Sequence, residues 1–262
     1  MKRCIVLLVF VLGCGAKPLP KDSQSSSDTG TVVVSDSGIV DTENPDTDVD
    51  TGKPDTDTDT DTDTDTDTDT DSVQSMSVAE VQRGQAAGVV LLKEVVVTSP
   101  LVKFNGGGAS FFVQDLGGGP YSGIQIYSEV GFGRYEPTVG DLIGLQGTVK
   151  EFYDMTQLVI TDAADVVDHQ HTEKVIVSEV QPATVKDWEA WESCLVNVGP
   201  LQVISAQDEY GEAKTDIDLK LGNYFYGFIV QPGAKWSEVV GIIGYAYGSF
   251  QIWPRTEADL IR

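Results

Sequence analysis

Histidine and cysteine are nearly absent, with two and three residues in a chain of 262. Cys4 and Cys14 lie at the start, which leaves Cys194 alone in the remainder and excludes a disulfide framework there. His169 and His171 sit two apart, and a structural zinc site needs two further donors. Asp165 and Asp168 are near, but their spacing is unspecific. Cys194 falls in an apolar run with no histidine close in sequence, so it reads as a core thiol and not a nucleophile. The chain has no nucleophile elbow, Walker loop or metalloprotease helix. Gly106-Gly107-Gly108 and Gly117-Gly118-Gly119 lack a following lysine and helix, so they read as turns and not phosphate cradles. The expectation is a protein with no catalytic residues, no metal and no cofactor.

Positive charge is also scarce: 17 Lys and Arg stand against 41 Asp and Glu, for a net charge of -24. The excess is uneven. Residues 17–75 contribute 17 acids against Lys17, Lys21 and Lys53, and residues 76–262 contribute 24 acids against 12 bases. A surface of that sign repels phosphate backbones, which argues against nucleic acid as a partner.

What is present begins with Met1-Lys2-Arg3, an apolar run from Ile5 to Leu12, and Gly13-Cys14-Gly15. The run is far short of the roughly 20 residues that span a bilayer, so it reads as a secretory signal. Val11-Leu12-Gly13-Cys14 resembles the lipobox of bacterial lipoproteins. That resemblance implies a signal peptide over 1–13 and acylation, palmitate included, on Cys14 as the first mature residue. Gly15, in place of an aspartate, then implies sorting to the outer membrane or cell surface of a Gram-negative bacterium. Several acyl chains anchor stably where one is marginal.

Residues 14–75 follow as a tether rich in Ser, Asp, Thr, Pro and Gly, with unbroken Asp-Thr alternation from Asp55 to Asp71. Such a segment has little to bury and repels itself, so it is expected to be disordered and to span about 45 Å or more. Calcium loops need a turn glycine and a closing glutamate, and the alternation has neither.

From Met76 the pattern changes to alternating hydrophobics. Strands are expected at 88–98, 109–116, 123–128, 142–151 and 157–161. The same order recurs at 194–205, 215–219, 224–230, 239–247 and 250–253, and Val177–Gln181 echoes Val78–Gln82. An internal repeat follows, with units over 76–168 and 175–262 and a joint near Asp168–Lys174. Five strands per unit suit a small Greek-key barrel.

Trp191-Glu192-Ser193-Cys194-Leu195-Val196-Asn197-Val198 and the ending Phe250-Gln251-Ile252-Trp253-Pro254-Arg255 with Asp259-Leu260 resemble the OB-fold domains beside bacterial extracellular nucleases. Phe111–Asp115 and Gly123–Tyr127 carry the same resemblance in the first unit. It implies an all-β chain with two tandem five-stranded OB-like barrels. OB folds bind on the face of strands two and three. That points to Phe111, Tyr121, Tyr127, Tyr224, Tyr226 and Phe228 as the ligand face. No Lys or Arg lies between residues 105 and 133. The expectation is therefore a monomeric, membrane-anchored, non-enzymatic lipoprotein that contacts an envelope or extracellular protein or glycan. An accessory oligonucleotide-binding lipoprotein acting with a separate nuclease, and an enzyme of unrecognised type, are the alternatives.

Overall fold

The structure is a computed structural model that describes residues 73–86 and 88–262. The expectations for the signal segment, Cys14 and the tether up to residue 72 concern residues outside those described. Among the described residues no helix is long and apolar enough to cross a membrane.

The first barrel starts at β1 (Gln74–Ser75), two residues earlier than expected, and α1 (Val78–Gln82). It continues through β2 (Val89–Val97), β3 (Val102–Lys103), β4 (Ala109–Gln114), β5 (Gly123–Ser128), β6 (Asp141–Phe152), β7 (Met155–Val159) and β8 (Val166–Thr172). Hydrogen bonding runs β2-β4-β5-β7-β6 and returns to β2, with β5 and β7 parallel. That is a closed five-stranded barrel with OB strand order. Closure removes the exposed edges that would otherwise invite pairing with other chains. Its core holds Phe111, Val113, Ile124, Ile126, Leu145 and Leu158. A register shift between Leu92 and Val95 accommodates the adjacent exposed charges Lys93 and Glu94 without breaking the strand.

The second barrel repeats the order with shorter strands: β9 (Ser178–Val180), β10 (Leu195–Val198), β11 (Leu201–Gln202), β12 (Ala213–Lys214), β13 (Lys220–Leu221), β14 (Lys235–Trp236), β15 (Glu238–Ala246), β16 (Ser249–Trp253) and β17 (Leu260–Ile261). Its path is β12-β13-β16-β15-β10, and a bridge from Val203 to Thr215 joins the first strand's continuation to the second strand. The chain is thus all-β, with two OB-like barrels.

Five sequence expectations are corrected. Residues 215–219 form no strand, and the second and third barrel strands lie on either side of them at β12 and β13. The run 194–205 is two strands, because Pro200 offers no N–H to a ladder. Residues 224–230 form no strand; Tyr224 and Phe225 leave the ladder to pack between the barrels. The joint at 168–174 is mostly β8, which lies along the N-terminal half of β6 beyond the end of β7. Val78–Gln82 is a helix, started by the Ser77/Glu80 capping box, whereas Ser178–Val180 is a strand. The structural counterpart of β9 is β1, since each runs parallel to the first long strand of its barrel.

Candidate functional site

In an OB barrel the outer face of the second and third strands is where a ligand would lie. On β4 and β5 that face consists of Ser110, Phe112, Gln114, Gly123, Gln125 and Tyr127, because the alternate residues Phe111, Val113, Ile124 and Ile126 point into the core. All six β4 residues are nevertheless buried. The second barrel covers the face. Phe112 lies in one apolar cluster with Met155, Leu195, Ile242 and Trp253. The Tyr224 hydroxyl bonds Ser110 Oγ at 3.1 Å and accepts from Gln125 Nε2 at 3.3 Å. Gln114 Nε2 donates to the Ile176 carbonyl at 2.8 Å, and Arg255 Nη1 donates to the Thr98 carbonyl at 3.0 Å. A Cβ on Gly123 would collide with the Ser193 carbonyl, so the close approach requires glycine there. The two barrels form one compact unit.

The six residues expected to form a ligand face are therefore scattered. Phe111 is core, edge-on to Phe132 at 4.9 Å, and is corrected to a packing residue. Tyr224 belongs to the seam. It stacks on Trp253 at 4.5 Å, and burial raises its phenol pKa above the ordinary value. Tyr121 is half-buried under the Arg83 guanidinium, 4.7 Å from the ring centroid. Tyr127 does lie on the outer face of β5, opposite Ser110, partly buried and 6.2 Å from Phe104. Tyr226 and Phe228 pair at 5.0 Å. The Tyr226 phenol is pushed up to about 12 by burial and then by the negative charges of Asp259 and Glu257.

The exposed aromatic surface of the second barrel lies elsewhere, and it was not read from the sequence. Tyr210, in the connection between β11 and β12, stacks on Tyr247, in the turn between β15 and β16, with centroids 5.3 Å apart and planes 30° apart. Both rings are largely exposed. The Tyr210 phenol is held above its ordinary value chiefly by the charge of Glu209. Asp208 shapes the connection by accepting from the backbone N–H of Tyr210 and of Glu212, each at 3.0 Å. Glu212 is buried and fixes the strands beneath. It takes Lys220 Nζ at 2.6 Å and Gln251 Nε2 at 2.7 Å, and Gln251 Oε1 accepts from Trp253 Nε1 at 2.9 Å. This chain of bonds links the exposed side of the second barrel to the seam. The available sequence signal was a tyrosine between two strand patterns beside a turn former, Tyr247-Gly248.

His169 Nε2 lies 3.0 Å from the Lys93 carbonyl and His171 Nε2 lies 3.0 Å from Glu173, so the two histidines have separate partners along β8. Among the described residues no three His, Cys, Asp or Glu converge as metal ligands. Cys194 is buried at the seam, 3.4 Å from the Gly119 carbonyl, and burial raises its thiol pKa. A shallow cleft of about 410 Å³ opens beside β9, lined by Glu179, Val185, Lys186 and Trp191 among others.

No protein-family model and no curated protein matches the chain. Among solved structures, the crystal structure of the p204 HINb domain is similar at 11% identity and a TM-score of 0.32, over 62% of this chain and 91% of that one. At that score the likeness carries no argument. The fold assignment rests on strand order.

Proposed function

We propose that the chain is a non-enzymatic, lipid-anchored surface protein whose fused barrels act as one binding module for an envelope or extracellular partner. The observation that carries the reading is the solvent-facing Tyr210–Tyr247 stack set among carboxylates, on a fold whose first ligand face is closed. Stacked aromatics contribute contact area at low entropy cost, and tyrosine adds a polar tip. The lipobox-like Val11–Cys14 and the acidic segment after it support display at a membrane through acyl chains on Cys14.

Affinity purification from the native envelope tests the module, and the expected result is specific capture of a protein or glycan that does not depend on nuclease treatment. Labelling with a clickable fatty acid tests the anchor. Wild type takes the label and Cys14→Ala does not. If the Cys14→Ala protein is labelled equally, the anchoring reading is wrong.

An accessory oligonucleotide-binding role is the second reading, favoured by the OB strand order alone. Against it stand the acidic surface and the loss of the β4–β5 face to the seam. Submicromolar binding of single-stranded DNA at physiological salt would replace the first reading with the second.

A further inference from the structure

Both barrels join their last two barrel strands through a two-residue turn. Phe152 pairs with Met155 around Tyr153-Asp154, and Ala246 pairs with Ser249 around Tyr247-Gly248. All four central residues have positive φ: 50° and 62° in the first turn, 51° and 77° in the second. This is the hairpin geometry that matches strand twist, and it selects Asn, Asp or Gly at both central positions. Asp154 and Gly248 comply. Tyrosine at the first position does not, because a Cβ in the left-handed region crowds the following carbonyl.

Neither ring recovers that strain by burial. Tyr153 is 60% exposed and Tyr247 is 73% exposed. Each is instead buttressed by a second exposed aromatic: Phe152, edge-on at 4.6 Å, and Tyr210, stacked at 5.3 Å. The same unfavourable choice therefore occurs at the same place in two copies whose sequences otherwise differ, and in neither does it serve the core.

The surroundings define the chemistry. Asp154 is in the first turn itself and Glu151 is two residues before Tyr153. Glu209 and Asp208 adjoin Tyr210, with Glu209 close enough to act on its phenol. Lys150 is the only base within three residues of either tip tyrosine. An aromatic face beside a carboxylate attracts a cation and does not favour an anion. The molecule uses that contact internally, with Arg83 over Tyr121.

We infer that the two tyrosine-tipped hairpins are a repeated pair of contacts for Lys or Arg side chains of a basic polypeptide segment. The inference deepens the binding-module reading and rests on it. Charge complementarity selects the class, since residues 76–262 carry 24 acids and 12 bases.

The test uses the full-length protein and fluorescein-labelled deca-lysine, with Tyr153→Asn, Tyr247→Asn and the double variant. Asparagine leaves net charge unchanged and suits the turn, so attraction to the acidic segment is the same in every protein. Each single variant is expected to bind about two- to fivefold more weakly, and the double about tenfold. The melting temperature is expected to hold or rise. Equal affinity in all four proteins overturns the assignment, and so does a fall in melting temperature in both single variants, which would mean the tyrosines serve folding. Binding of neutral chitohexaose that is lost in the double variant, with deca-lysine binding unchanged, overturns the choice of a cationic partner. The module reading fails on different data, namely no capture from the envelope.

Discussion

Tyr224 lies flat against Trp253, with centroids 4.5 Å apart and planes 18° apart, and its hydroxyl reaches Ser110 in the other barrel. One residue thus completes the apolar seam and begins the polar contacts at its margin. Because Phe112 packs on both rings, the seam behaves as a core shared by two barrels.

Trp253→Ala is expected to destabilise the protein by about 3–5 kcal/mol, the usual range for deleting a large buried aromatic. The loss falls at the seam, so the wild type is expected to unfold in urea in one transition and the variant in two, with the second barrel unfolding first. Tryptophan fluorescence and circular dichroism, followed together, check this.

Tyr224→Phe keeps the ring stack and removes the hydroxyl bonded to Ser110 and Gln125. A cost of about 1 kcal/mol is expected, from lost hydrogen bonding alone. Gly123→Ala should cost more than about 2 kcal/mol, because its methyl meets backbone across the seam and has no flexible side chain to displace. Chemical denaturation of the two variants should rank them in that order.

Lys220→Met leaves Glu212 buried with Gln251 as its remaining bonded partner. Removing one member of a largely buried ion pair costs about 3 kcal/mol. Replacing both, as Lys220→Met with Glu212→Gln, should recover part of that, and a double-mutant cycle measures the coupling.

The phenols of Tyr224 and Tyr226 both titrate above the ordinary value, Tyr226 at about 12. A folded-state pKa above the unfolded one contributes stability that is complete below the unfolded value near 10 and declines as pH rises through the folded value. Stability should therefore fall between pH 10 and 12. In a spectrophotometric titration, part of the tyrosine absorbance should appear only with unfolding. Tyr226→Phe should lessen that alkaline loss.

Much of the fold was legible where apolar and polar residues alternate, as Ile124 and Ile126 do with Gln125. Gly123–Ser128 was read with its observed ends, and β6 to within one residue at each end. Legibility failed where large apolar residues occupy both faces. On β4 the neighbours Phe111 and Phe112 are equally buried, one inside the barrel and one in the seam, so pattern could not say which pointed inward. Tyr224–Val230 misled for a related reason, since Tyr224 and Phe225 answer to the other barrel and Phe228 to its own barrel's core, and none to a sheet partner. Of the six residues assigned to a ligand face, Phe111 and Tyr224 were drawn inward by those packing demands. Tyr210 and Tyr247 come together through a connection whose course no local period encodes.

Phe112 and Trp253, the largest residue that covers it, are separated by more than an entire barrel of sequence. A chain emerging from its N-terminal end completes the first barrel while that barrel's outer wall is still bare. Until the final strands arrive, Phe112 and Met155 on that wall have no cover, and neighbouring chains are expected to find them. Safe maturation then depends on how quickly the last strands follow, so slowing their delivery should produce aggregates even where the finished protein is stable.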